Sequence, residues 1–380
     1  MSDDEERVKA RQQAAWRGAE RVLADTFTEG VGERMRRLLA AAPDAYDLEQ
    51  PVDMYGNGIV AGLERRTAEL LGHETAAFFP TGTMAQQVAL RCWAARTGNA
   101  TVATHPLGHL ELHERDAYAV VSGLRTVHPT AEPRLPTAAE VADLDEPFGT
   151  LLLELPLRDA GFMLPDFSGL TATVAAARER DAVVHFDGAR LWETTTHFGR
   201  TLPEIAGLAD SVYVSYYKSL GGLGGAALAG PATLVEEARA WRHRYGGQVF
   251  QQWPTALAAL VGLDEELPRL PEYVAQARVV AGALREAFAG TGWFRVHPGE
   301  PHTHQFQVWL PYGAGELTEA SVRLAEEERT MLFRRWREPA GGPPGVAVTE
   351  VTVAAPGLRW SAADVREAAA AFLRLLTPPG

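Results

Sequence analysis

Two stretches of the chain place reactive side chains where a buried sheet meets solvent. The first is Val183-Val-His-Phe-Asp-Gly-Ala-Arg190, an apolar strand that ends in Asp187. Open α/β sheets bind ligands at the C-terminal ends of their strands, and a carboxylate buried there requires a cationic partner. The second is Val212-Tyr-Val-Ser-Tyr-Tyr-Lys218, another strand, which ends in a lysine and runs on into Gly221-Gly-Leu-Gly-Gly225. A lysine against apolar walls has a lowered pKa and becomes a usable amine nucleophile, while glycines let backbone crowd a ligand. A third stretch, Phe78-Phe-Pro-Thr-Gly-Thr-Met-Ala-Gln86, reads as strand, tight turn and helix, which aims backbone N–H groups and threonine hydroxyls at an anion.

An amine, a carboxylate for a pyridinium nitrogen and a phosphate-binding turn together suit pyridoxal phosphate. The glycine run does not suit a dinucleotide, because the helix start and acidic ribose contact of that fingerprint are missing. His105, His109 and His113 are spaced for a helical zinc stripe, but Pro106 and Gly108 interrupt the helix, so no metal site is expected. Cys92, Trp192, Trp253 and Trp309 read as packing residues.

The elements that must position these groups follow from pattern. Helices are expected at 59–72 (closed by Gly72), 84–95 and 169–180, with strands at 75–80, 151–155, 182–187 and 211–215. Alternating near-continuous apolar strands and helices indicates a mostly parallel sheet covered on both faces. After Pro254 a long helix to about 289 is expected, then strands near 293–296, 306–310 and 346–354. Helices at 317–327 and 361–376 and a Gly/Pro-rich loop at 339–345 complete a smaller α+β domain. The expected division is an N-terminal helical arm at 1–50, a large domain at 51–255 and a small C-terminal domain at 256–380.

In order and spacing, these motifs, with Asp53-Met-Tyr-Gly-Asn-Gly58, His109-Leu-Glu-Leu-His-Glu114 and Ser122-Gly123, resemble the threonine aldolase branch of the β-eliminating lyase family. These are fold-type-I pyridoxal phosphate enzymes. The resemblance implies a seven-stranded sheet, with Lys218 as the Schiff-base lysine and Asp187 as the pyridinium partner. It implies Arg190 near the cofactor hydroxyl and substrate carboxylate, and Gly82 and Thr83 at the phosphate. His109 would stack on the ring and handle the β-hydroxyl proton, tasks that suit an imidazole. The implied reaction is retro-aldol cleavage of a β-hydroxy-α-amino acid to glycine and an aldehyde, or the reverse. β-Elimination, transamination and a catalytically reduced binding protein are the alternatives. The family also implies a homodimer, or a dimer of dimers, with the 51–58 loop crossing to the neighbour's phosphate.

Several positions depart from the family pattern. The N-terminal serine segment reads Ala24-Asp25-Thr26, and Phe250 stands where a phosphate-binding arginine is usual. The strand Val348-Thr-Glu-Val-Thr-Val353 lacks the arginine for the substrate carboxylate and adds Glu350, and the mid-sheet loop reads Glu154-Leu-Pro-Leu-Arg158. Arg158, Arg242, Arg244 and Arg359 are the candidate replacements. Weak activity on threonine is therefore expected, with preference for another side chain, one bearing a basic group being the candidate.

Composition bounds the class. Of 380 residues 46% are hydrophobic and 22% charged, enough for a large core, and the net charge of −13 argues against nucleic-acid binding. One cysteine excludes a disulfide framework, and the N-terminal run is acidic rather than signal-like. With no apolar run long enough to span a bilayer, a soluble cytoplasmic enzyme is expected.

Overall fold

The computed structural model describes residues 3–24, 29–339 and 344–376. Asp25, Thr26 and most of the expected 339–345 loop lie outside the described residues. The chain divides into two compact units, one of residues 37–269 and the other of residues 1–36 with 270–380.

The large unit is built on seven strands, β1 (Thr75–Phe79), β2 (Thr101–Ala103), β3 (Arg125–Val127), β4 (Thr150–Glu154), β5 (Val183–Gly188), β6 (Ser211–Ser215) and β7 (Ala226–Gly230). Their order across the sheet is β1-β7-β6-β5-β4-β2-β3, and only β7 runs antiparallel to its neighbours. The expected mostly parallel α/β sheet is thus the one observed. Strands β4, β6 and β7 are buried along their whole length, as expected of a sheet covered on both faces.

Helix Gly82–Thr97 covers one face, packing Ala85, Val88, Ala89, Cys92 and Trp93 against β1, β6 and β7. Each large apolar side chain buried this way contributes about 1.5–3 kcal/mol. Thr81 caps this helix by accepting from the Met84 N–H at 3.2 Å, and Gly98 closes it in the left-handed region. Helix Gly58–Leu71 ends as expected at Gly72, φ 67°.

Antiparallel pairing leaves the backbone groups of Ala76 and Phe78 facing the open edge of β1. Glu64 and two arginines cover them. The Phe78 N–H donates to Glu64 Oε1 at 2.7 Å, Arg239 donates to Ala76 O at 2.8 Å, and Arg242 donates to Phe78 O at 2.5 Å. Glu64 also pairs with Arg239 at 2.7 Å and Arg242 at 3.4 Å, so the edge is closed by a side-chain clamp.

The other unit carries a three-stranded antiparallel sheet in the order Ala347–Thr352, Gln305–Leu310, Arg295–His297. Helices Leu270–Phe288 and Ala362–Arg374 bury Leu284, Phe288, Val365 and Phe372 in its core. Residues 1–36 group with the C-terminal segment because Ala15 and Trp16 bury against Val322, Ala325 and Met331. The expected helix to 289 is two helices, Trp253–Glu265 and Leu270–Phe288, parted at Leu267–Arg269, where Pro268 and Pro271 interrupt the backbone ladder. The first of the two belongs to the large unit, where Arg66 pairs with Asp264.

Replacing Glu64 with leucine leaves the buried Arg242 guanidinium without its anion and the Phe78 N–H without its acceptor. The expected loss is about 3–5 kcal/mol, read as a fall in the urea midpoint without a change in slope.

Candidate active site

Parallel register sets Glu154 and Asp187, at the C-terminal edges of β4 and β5, abreast of Tyr213 in the middle of β6. Asp187 is 2% exposed and takes the Gln86 side-chain N–H at 3.0 Å and the Ala189 N–H at 3.1 Å. Among the described residues no cationic side chain is paired with it in a salt bridge. His185, two residues earlier on the same face of β5, lies 2.7 Å from Gln86 Oε1 and 2.7 Å from Ser211 Oγ. Trp93 Nε1 donates to that hydroxyl at 2.8 Å. Complete burial pushes the His185 imidazole down to about 3.

Lys218 follows β6, its ammonium 5.8 Å from the centre of the Tyr217 ring. Desolvation lowers its pKa and Arg190 lowers it further, against the raising fields of Asp187 and Glu154. The loop around it is tight, with Gly222 N–H donating to Tyr216 O at 2.8 Å and Tyr216 N–H to Gly225 O at 3.3 Å. A Cβ at Gly222 would stand 2.7 Å from Tyr216 O, so the glycine run serves backbone approach. Arg190 lies over the Phe162 ring at 5.4 Å, with Nε 4.0 Å from the buried Glu193.

His109 opens the short helix His109–Leu112, and its backbone N–H donates to Glu154 Oε2 at 2.7 Å. Its Nδ1 lies 3.2 Å from Glu114 Oε1, and its ring 5.2 Å from that of His113. Burial works against the charged ring, but Glu114 and Asp187 outweigh it and hold the pKa above the ordinary value. Glu154 is buried, and desolvation followed by the neighbouring Asp187 pushes its carboxyl up.

At the far end of the site, the first turn of helix Gly82–Thr97 leaves the N–H groups of Gly82 and Thr83 without intrahelical acceptors. The Tyr213 hydroxyl packs onto Gly82 so closely that any Cβ there would collide with it. Gly82 is therefore required by the phenol of β6 as well as suited to an anion.

The six residues expected to form the site lie in this one unit, and the charges of Asp187 and Arg190 act on Lys218. Arg158 also acts on Lys218, whereas Arg242 is engaged by Glu64 and Phe78 O, and Arg244 lies over the Trp241 ring at 4.5 Å. Asp53 turns inward rather than outward. Fully buried, it caps helix Trp253–Glu265 through the N–H groups of Gln252 and Trp253 at 2.9 and 2.7 Å. His105 is bonded to Glu132 O at 2.6 Å and Leu107 N at 2.9 Å. Among the described residues, no cluster of three or more His, Cys, Asp or Glu could hold a metal ion. Sequence reasoning missed Gln86, His185 and Glu154 as parts of the site. The two-residue spacing of His185 and Asp187 on one strand was the available signal.

The arrangement is that of a fold-type-I pyridoxal phosphate enzyme. The family model for β-eliminating lyases matches residues 22–292, and the chain belongs to that family. It is similar to the low specificity L-threonine aldolase of Escherichia coli K12, with 33% identity over 62% of this chain and 72% of the relative. Against low-specificity L-threonine aldolase 1 of Arabidopsis thaliana the identity is 26% over 72% and 77% of the two chains. A solved Listeria monocytogenes structure, provisionally described as an L-allo-threonine aldolase, superposes with a TM-score of 0.86 at 32% identity, covering 97% of this chain and 99% of that one.

His185 makes stability pH-dependent in a defined direction. The unfolded imidazole takes a proton below its ordinary 6.5, the folded one only near 3, so stability is complete above 6.5 and is lost as pH falls. In this window the parent should lose about 1.4 kcal/mol per pH unit more than His185→Gln, measured by denaturant titration at a series of pH values.

Proposed function

We propose that this chain is a pyridoxal phosphate-dependent lyase of the threonine aldolase type, parting Cα from Cβ in a β-hydroxy-α-amino acid to give glycine and an aldehyde, or joining them. One observation carries the reading. Asp187 is a buried carboxylate held by two neutral N–H donors, beside a lysine whose ammonium is disfavoured. A protonated pyridine nitrogen is the cation that such a carboxylate fits.

Lys218 Nζ would hold the cofactor covalently, Asp187 its ring nitrogen, and Gly82 and Thr83 its phosphate, with Arg190 and His109 completing the set. When bound, pyridoxal phosphate supplies an electron-withdrawing ring that accepts negative charge from Cα. His109 does the proton work at the other carbon. With Nδ1–H donated to Glu114, Nε2 is left to take the β-hydroxyl proton as the aldehyde carbonyl forms. Arg158 and Arg190 are the guanidiniums whose fields reach Lys218, and they are the supports for a substrate carboxylate.

Lys218→Ala should abolish turnover, and borohydride reduction of the parent followed by peptide mapping should leave the cofactor on Lys218. With the parent, glycine and an aldehyde should appear from β-hydroxy-α-amino acids, more slowly from L-threonine and L-allo-threonine than from the best substrate. Keto acid and ammonia would instead assign β-elimination, and a label on another lysine would remove Lys218 from its role.

The assembly we propose is a homodimer, alone or paired into a tetramer. Met54, Tyr55, Val249 and Phe250 expose apolar surface on two loops joined by Tyr55 N–H donating to Phe250 O at 2.8 Å, and Trp253 continues it at the start of helix Trp253–Glu265. The Tyr55 and Phe250 rings pack edge to face at 5.3 Å. Such a patch supports a protein interface, and its Phe250 occupies the position where an arginine is usual. A cytoplasmic location agrees with the single, buried cysteine. Sedimentation should show a dimer or larger at micromolar concentration, and Phe250→Asp should shift it toward monomer. A parent that sediments as a monomer would end the proposal.

A further inference from the structure

We propose that the adjacent glutamines Gln86 and Gln87 are the positioning residues of this site, Gln86 fixing Asp187 and Gln87 fixing His109 through Glu114. The inference rests on the reading above that Asp187 and His109 face the cofactor. Both glutamines are buried, 1% and 3% exposed, on the helix whose first turn offers Gly82 and Thr83.

The carboxylate end sets the directions in the first chain. Gln86 presents its amide N–H to Asp187 Oδ2 at 3.0 Å, which leaves Oε1 toward His185 Nε2 at 2.7 Å. An amide oxygen only accepts, so the neutral imidazole carries its hydrogen on Nε2, and Nδ1 accepts from Ser211 Oγ at 2.7 Å. That hydroxyl in turn accepts from Trp93 Nε1 at 2.8 Å, an indole N–H that can only donate. The competing tautomer, with Nδ1–H on Ser211 O at 3.1 Å, would turn the amide oxygen onto the carboxylate.

The second chain has the same logic. Ser122 Oγ donates to Gln87 Oε1 at 2.8 Å, and Gln87 Nε2 donates to Glu114 Oε2 at 2.8 Å. Glu114 Oε1 then accepts from His109 Nδ1 at 3.2 Å, which leaves Nε2 outward. The charged and titratable groups that face His109 are Glu114, Asp187, Lys218 and His113, with Glu154 on its backbone N–H. A buried amide is suited to this work because it donates and accepts without changing charge, so it aims a carboxylate and leaves it ionised.

The test compares Gln86→Leu, Gln86→Glu, Gln87→Leu and Asp187→Asn with the parent. Gln86→Leu and Gln86→Glu should bind pyridoxal phosphate about tenfold more weakly in equilibrium dialysis and lower kcat about tenfold, with substrate KM changed less than about twofold. Gln87→Leu should keep the parent's cofactor affinity, while the acid limb of its kcat/KM profile moves down by about half a pH unit or more, because Glu114 no longer faces His109 squarely. Parent values throughout for both glutamine sites would overturn the proposal. If Asp187→Asn itself keeps the parent's affinity and kcat, the reading of the site fails instead. Should a glutamine variant not fold, histidine ¹⁵N spectra of the cofactor-free parent decide the first chain. His185 should be neutral and protonated on Nε2 across about pH 5–8. Protonation on Nδ1 would overturn the assignment.

Discussion

A carboxylate buried in a sheet and held by neutral donors is the constraint on which the rest of this structure depends. Asp187 sits at the C-terminal edge of β5, and among the described residues the Gln86 and Ala189 N–H groups are the donors on its oxygens. An ion pair with a resident lysine or arginine would be easier to bury, but it would consume the charge that the proposed cofactor nitrogen would meet. Neutral donors avoid that, provided that they are rigid. Rigidity is supplied by helix Gly82–Thr97, packed through Ala85, Val88 and Ala89, and by an imidazole that burial keeps uncharged. The same helix presents its N-terminal amides one turn before Gln86, so one rigid element serves both the anion end and the carboxylate end of the site.

The position of that helix depends in turn on the edge of the sheet. Strand β1 leads into Thr81, and its open side is held by Glu64, Arg239 and Arg242. Strand β7, beside it, consists of Ala226-Ala-Leu-Ala-Gly230, whose small side chains let the helix and the loop after β6 close on the sheet. The buried Asp53 then ties the 51–58 loop to the start of helix Trp253–Glu265. These contacts concern stability rather than chemistry, and they explain why Arg242, available by sequence to bind a substrate, is not available in the fold.

The parts of this architecture legible in the sequence are those with a strong local signal. β4, β5 and β6 are apolar and bounded by turn residues, and Gly72 closes its helix in the conformation that glycine alone adopts cheaply. β7 was not legible, because an Ala-Leu-Ala run has no β-branched residue and reads equally as helix. The break at Leu267–Arg269 was available in Pro268 and Pro271, but the apolar period on either side masked it. In the proposed site, Lys218, Asp187 and Gly82 stand out in the sequence because few residue types can do the work proposed for them. Gln86 and His185 do not, because a buried amide and a buried imidazole gain their meaning only from partners far away in the chain, and Trp93 and Ser211 come together only in the folded sheet.

Lys218 shows how these constraints converge on reactivity. An amine attacks a carbonyl only when it is unprotonated, yet this one stands near two carboxylates, Asp187 and Glu154, that would keep it charged. Desolvation opposes them first, and Arg190 and Arg158 add their positive fields. Raised protonation of Glu154, itself the result of burial beside Asp187, removes part of the opposing charge. Desolvation and the two arginines together set the balance, and a guanidinium also has the chemistry to receive a carboxylate. A substrate carboxylate lying against them, as proposed, would weaken the field that disfavours the ammonium, so substrate binding and the protonation of Lys218 would be linked through the same two guanidiniums. Substituting either one would then alter binding and amine chemistry together.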